Sequence, residues 1–364
     1  MNAKFYIVLA ILLAAFPLTA QAQWRLQHSG VAASLRGIHA VNDSVAWASG
    51  SGGTVLRTTD GGAHWLGCSV PDGAEKLDFR SVWAWDADHA MVMSSGPGND
   101  SRLYSTHDGC RTWRLVFSNP DADGFWDALQ FDGTRFGAIL GDPVHGMFTL
   151  FVTYDGGTRW TRQVDPCLRT LDPKQGAFAA SNESLAVLRS DRPGPDGGDS
   201  DMRRLWFGTS GGWMYGLTIA PMELVGQSGC VRQRVGALDP ANPAAGIFAV
   251  AFRDAENGVA VGGDYAHASA PGIAAAKTKA APWRTAVAPP RGYRSTVGWD
   301  PGENAWIAAG TTGSDISHDG GRTWQPFSPE GWNAVSLPFV VGAHGKIGRL
   351  LSWGELRAAL PGGE

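Results

Sequence analysis

One short turn sequence recurs along this chain and limits what it can fold into. Thr58-Thr59-Asp60-Gly61-Gly62-Ala63-His64-Trp65 returns as Thr106-His107-Asp108-Gly109-Cys110-Arg111-Thr112-Trp113 and as Thr153-Tyr154-Asp155-Gly156-Gly157-Thr158-Arg159-Trp160. A last copy is Ser317-His318-Asp319-Gly320-Gly321-Arg322-Thr323-Trp324. The pattern is Ser/Thr-x-Asp-x-Gly-x-x-Trp, with Cys110 replacing one glycine, in steps of 48, 47 and then 164 residues. An Asp in such a turn accepts hydrogen bonds from nearby backbone N–H groups. Gly takes a positive φ without penalty, and the Trp folds back over the turn. Alternating β-rich segments flank each copy, so each octet should join two antiparallel strands. Asp60, Asp108, Asp155 and Asp319 are therefore expected to be structural.

A second series fills the long gap. Alternating apolar segments begin near Arg36, Arg80, Asp127, Phe178, Phe248, Arg294 and Asn333, in steps of 44, 47, 51, 70, 46 and 39 residues. Each is followed by a second β segment, such as Ala46-Trp47-Ala48-Ser49 or Trp306-Ile307-Ala308-Ala309. The unit is four short strands, the blade of a β-propeller, and seven units predict seven blades. The turns of the fourth and fifth units, Thr209 to Trp213 and Thr278 to Trp283, read as degenerate octets without the Asp. Trp24-Arg25-Leu26-Gln27-His28-Ser29 copies the outermost strand Trp113–Ser118 but has no blade before it. The last unit, Asn333 to Leu350, has three strands. The N-terminal strand is expected to complete it and to remove the exposed sheet edges. The predicted fold is an all-β, seven-bladed propeller over residues 23–364.

The preceding residues, 1–22, read as an export signal. Met1-Asn2-Ala3-Lys4 precedes an apolar run from Phe5 to Leu18 and the small-x-small site Ala20-Gln21-Ala22. An uncleaved anchor is the alternative. No later segment is apolar enough to span a bilayer. The expected location is periplasmic or extracellular. Four cysteines, Cys68, Cys110, Cys167 and Cys230, permit two disulfides in three pairings there, or free thiols. Net charge is −4, which gives no basic excess for nucleic acid. Tryptophan, at 16 residues, outnumbers phenylalanine at 15 and tyrosine at 6, consistent with repeated use of Trp in one motif.

The octets resemble Asp-box (BNR) repeats, shared by sialidases and many non-enzymatic propellers. Nearly the whole mature chain resembles the photosystem II stability/assembly factor family or its relatives in non-photosynthetic bacteria. Leu35-Arg36-Gly37-Ile38-His39, Gly52 to Gly62 and Val250 to Gly262 carry that resemblance. It implies a binding factor that assists assembly of a protein client, possessing no catalytic residues, cofactor or metal. The four cysteines, the Gly/Pro/Asp-rich insertion Ser190–Arg204 and the loop Gly141-Asp142-Pro143-Val144-His145-Gly146 depart from the family.

Propeller geometry sorts the loops. Starts of first strands share one face with the loops between second and third strands, and the octets lie on the other. Arg36, Arg80, Asp127, Arg294 and Asn333 occupy one register and are expected to ring the channel mouth. Asp142 and His145, Asp264 and Tyr265, and His344 and Lys346 lie in loops beside them. Three arginines at one opening suit bidentate binding of a carboxylate or phosphate. The competing reading pairs Arg36 and Arg80 with Asp127 or with loop carbonyls. His145 reads either as a base or ligand or as a residue whose hydrogen bond fixes its loop.

The leading expectation is an exported, monomeric, non-catalytic propeller that binds a protein client, membrane-associated or not. The alternative is a sialidase-like glycoside hydrolase or glycan-binding propeller, with Tyr265 or Tyr293 as nucleophile. No Glu lies in an obvious mouth segment to activate it. A quinone-dependent redox propeller would carry a different Trp motif, nucleotide fingerprints are missing, and the Gly-His…Trp-Asp pattern of WD40 repeats is absent.

Overall fold

In the computed structural model, residues 23–189, 202–219, 229–236, 238–239, 241–279 and 281–358 are described. Residues 1–22, read above as an export signal, and most of the Ser190–Arg204 insertion lie outside them. Seven four-stranded antiparallel sheets form a propeller. Their first strands are Leu35–Ala40, Phe79–Ala84, Trp126–Asp132, Leu185–Arg189, Ala245–Phe252, Thr296–Asp300 and Ala334–Ser336, which define blades 1 to 7. Trp24–Gln27 pairs antiparallel with Ile347–Leu350 and supplies the outer strand of blade 7. The short helix α1 (Trp353–Ala358) packs beside this seam, where Trp353 Nε1 donates to Asp300 at 2.7 Å.

Both faces of each blade are apolar, and the core is divided among the blade interfaces. Trp47 of blade 1 packs with Phe79 and Val82 of blade 2. Met91 and Met93 of blade 2 pack with Trp126 and Leu129 of blade 3. Trp24 meets Phe327 and Trp332 across the seam. Trp47, Trp126, Trp206, Trp306 and Trp332 are fully buried. Burial at ~25 cal/mol per Å² of apolar surface makes such large rings the main fastening between neighbouring sheets.

Each octet joins a third strand to a fourth. Thr58 Oγ1 accepts from Gly62 N, and Asp60 Oδ1 accepts from His64 N, both at 2.9 Å. Asp108, Asp155 and Asp319 accept equivalent bonds from Thr112 N, Arg159 N and Thr323 N. Gly62, Gly157 and Gly321 hold φ of 84°, 91° and 87°. Cys110 takes the same place at φ 66° and is disulfide-bonded to Cys68, joining the end of blade 1 to the turn of blade 2. Cys167 and Cys230 form the second disulfide.

Blade 4 corrects the sequence reading in three places. The segment at Phe178 is not its first strand, which is Leu185–Arg189. Thr209 to Trp213 is not an octet relic. It joins the second strand, Arg203–Thr209, to the third, Trp213–Ile219, on the opposite face. Arg203 and Arg204 belong to that second strand rather than to the insertion. In blade 5, Thr278 to Trp283 does connect third and fourth strands.

The displaced segment plugs the channel. Asn182 Oδ1 accepts from Val82 N, and its Nδ2 donates to Ile38 O and to Val82 O, at 3.3, 3.3 and 2.6 Å. Gln130 Nε2 donates to Asn182 O. Ser184 Oγ donates to Phe248 O, and Thr296 Oγ1 donates to the Glu183 carboxylate. First strands of blades 1, 2, 3, 5 and 6 thus all hold the plug. Its apolar start, Phe178-Ala179-Ala180, resembles the start of a strand, but its hydrogen bonds go to side chains and backbone across the ring.

Asn182→Ala should cost about 2–3 kcal/mol, because it orphans buried backbone groups on two blades; a urea denaturation series measures it. The octets should show in acid. Backbone and side-chain hydrogen bonds from His64 hold Asp60 down to about 2, and those from Thr112 do the same for Asp108. A depressed carboxylate adds stability above its unfolded value of about 3.9 and loses it as pH falls towards about 2. Asp60→Asn with Asp108→Asn should therefore flatten the fall in urea midpoint between about pH 4 and 2.

Candidate functional site

Four first strands carry an irregularity at one position. Pairing shifts between Leu35 and Gly37, Phe79 and Ser81, Trp126 and Ala128, and Ile247 and Ala249. The bulged residues are Arg36, Arg80, Asp127 and Phe248. A bulge re-aims the extra side chain, and all four line one cavity of about 410 Å³ at the channel mouth. Asp142, Tyr265 and Asn333 also line it, with Phe125, Phe178 and Tyr293. The plug residues Ala177 to Ala180 line it from the channel side.

The structure separates the remaining sequence candidates from this cavity. Arg294 precedes an unbulged strand and is buried against Asp315, with Nε 2.7 Å from Oδ2. The expected three-arginine cluster is therefore a pair, because the third guanidinium is held by its own blade. Asp264 is committed to its loop, accepting from Ala266 N at 2.9 Å and Asn242 Nδ2 at 3.0 Å. His145 is exposed at a turn with φ 52°, outside the cavity. Lys346 pairs with Glu330, and His344 occupies a positive-φ turn position.

Electrostatics inside the cavity are uneven. Arg80 Nε donates to Asp78 at 2.8 Å and its Nη1 to Ala179 O at 3.3 Å. Arg36 donates to the same carbonyl at 3.5 Å and has no carboxylate partner among the described residues; its Nε is buried without a hydrogen bond. Burial and the neighbouring Arg80 charge lower its pKa, yet a guanidinium stays protonated. Asp127 is 1% exposed with Oδ2 unpaired. Burial, then the Asp142 charge, raises its carboxyl well above the usual range. Burial raises Asp142 to about 6 against a 2.9 Å hydrogen bond from Ala177 N. The mouth therefore presents guanidinium donors beside two carboxyls whose burial disfavours the charged form, a set that suits a ligand rich in acceptors.

An aromatic wall completes the site. Phe178 stacks on Phe248 with centroids 3.6 Å apart, and Tyr293 meets Phe248 edge-on at 4.7 Å. The sequence reading placed both phenylalanines in the strand-start register without assigning them to a site. Apolar residues at a position charged in other blades were the available signal. Among the described residues, the channel glutamate Glu183 bonds Thr296 rather than a tyrosine, so the Glu-activated tyrosine of the sialidase reading is not assembled.

No family model matches the sequence, and no curated protein matches it. Among solved structures, the chain is similar to "YCF48 bound to D1 peptide" with TM-score 0.57 and 15% identity, over 91% of this chain and 98% of that one. It is similar to YCF48 from Cyanidioschyzon merolae with TM-score 0.56 and 20% identity, over 90% and 99%. The WD40 propeller domain of Doa1 aligns with TM-score 0.55 and 11% identity, over 91% and 98%. At these identities the likeness is one of fold.

Asp142 yields a test with a definite sign. A carboxyl raised on folding destabilises the native state above its folded pKa of about 6. That penalty fades as pH falls towards the unfolded value of about 4. Asp142→Asn keeps an acceptor for Ala177 N. It should raise the melting temperature at about pH 8 and leave it unchanged near pH 4, as read by calorimetry at both.

Proposed function

We propose that this chain is an exported, non-catalytic propeller whose channel mouth holds an extended segment of a protein client, in the manner of photosystem II assembly factors. The observation that carries this reading is the blind, donor-rich and aromatic-walled cavity built from bulged first strands. An extended peptide offers carbonyl acceptors and apolar side chains together, which matches Arg36 and Arg80 beside Phe178 and Phe248. A fold neighbour bound to a D1 peptide supports a peptide as occupant. The signal-like N-terminus and two disulfides support an oxidising compartment. The octet hydrogen bonds support reading these turns as Asp boxes, and we take the chain as a bacterial relative of that family. We read it as a monomer, since ring closure leaves no blade face unpaired and only short outer strands as edges.

The mature protein, tagged and crosslinked in its native cells, should capture a discrete envelope or membrane protein. Arg36→Ala with Arg80→Ala should lose that capture and leave the melting temperature nearly unchanged. A large fall in melting temperature with capture intact would make the arginines braces for the plug and remove the mouth as the docking site.

A further inference from the structure

Blade 5 has lost more than the aspartate of its turn. Its third and fourth strands, Ile273–Thr278 and Ala281–Thr285, are joined by two residues where four other blades carry the long octet. Beside the intact octet of blade 6 this leaves a groove of about 790 Å³ on the octet face. Arg253, Lys277, Arg284 and Arg322 line it.

These cations are poorly matched by acid. Arg253 pairs with Asp254 at 3.4 Å. Lys277 Nζ donates only to the Thr278 and Ala281 carbonyls, both at 3.3 Å. At the same register in blade 1, Arg57 reaches Asp88 of blade 2 at 3.3 Å. Arg284 and Arg322 are exposed, and among the described residues neither side chain has a hydrogen-bond or carboxylate partner. The one carboxylate lining the groove, Asp319, is occupied by Ser317 Oγ, Arg322 N, Thr323 N and Thr323 Oγ1 of its own turn. Burial, then the charge of Arg204, lowers the Lys277 pKa against the opposing Glu256 carboxylate, which itself pairs with Lys279 at 3.1 Å. A chain of net charge −4 thus concentrates positive potential in one groove.

We propose that this groove binds a ligand carrying two or more linked phosphate groups. The Arg284 and Arg322 guanidiniums would take phosphate oxygens bidentately, and Lys277 would act as a point charge beside them. Linked phosphates carry several charges on one compact ligand, which suits Arg284, Arg322 and Lys277 lining a single groove. An acidic peptide spreads its carboxylates along a longer span.

Sodium tripolyphosphate, titrated calorimetrically into the mature protein at low ionic strength, should bind saturably and weaken as salt is raised. Lys277→Ala/Arg284→Ala/Arg322→Ala should weaken it at least about tenfold with an unchanged melting temperature. Arg36→Ala/Arg80→Ala should bind as the parent does, which separates this groove from the mouth. Co-sedimentation with cardiolipin vesicles, whose headgroup joins two phosphates through one glycerol, lost in the triple variant, would give the source as a lipid surface; tripolyphosphate binding without it would give a soluble phosphate compound. No saturable binding by the parent, equal binding by the triple variant, or loss in the mouth variant would each overturn the proposal.

Discussion

A small four-stranded sheet with apolar side chains on both faces cannot exist in water by itself. Each blade here must bury its two faces against two neighbours, and only a closed ring satisfies every blade. That requirement explains the Trp-rich interfaces, with Trp47, Trp126, Trp206, Trp306 and Trp332 each fully buried. It also explains why Trp24–Gln27 crosses the seam to Ile347–Leu350. The octets are subordinate to it: they set the spacing of third and fourth strands so that successive sheets present matching faces.

Closing seven sheets leaves a central channel, and the chain fills it from blade 4. Asn182 hydrogen-bonds the first strands of blades 1 and 2, while Glu183 and Ser184 reach blades 6 and 5. The plug converts a tunnel into a cup. The bulges at Arg36, Arg80, Asp127 and Phe248 then turn four side chains towards that cup. Site and scaffold are therefore separable. The octet face is held by local turns, whereas the mouth is shaped by departures from regular pairing.

The blade count and the closing strand were legible because both rest on local alternation, repeated at intervals near those of ordinary blades. The mouth register was legible for the same reason, since Arg36, Arg80 and Asp127 fall at equivalent distances from their strand starts. What failed was long-range. Phe178 to Ser181 begins like a strand, and only the partners of Ser181 to Ser184 on five other blades show it to lead into the plug. Arg294 aligns with Arg36 in the sequence, but Thr296 pairs with Ala309 as Gly37 pairs with Ser49, so Ser295 takes the mouth position and Asp315 in the third strand holds Arg294. Thr209 to Trp213 imitates an octet in composition while turning on the other face. Cysteine pairing was equally hidden, because Cys68 and Cys110 become neighbours only when blades 1 and 2 dock.

Both disulfides lie within the first four blades, and neither spans the seam between Trp24–Gln27 and Ile347–Leu350. The ring is therefore a clasped band rather than a welded one. During synthesis the first strand to emerge is the last to find its partner, so the blades assemble as an open arc. The clasp is made of hydrogen bonds, Trp24 and the packing of α1. Any opening of the folded molecule without bond breakage would begin at that place, and the covalently stapled blades would travel together.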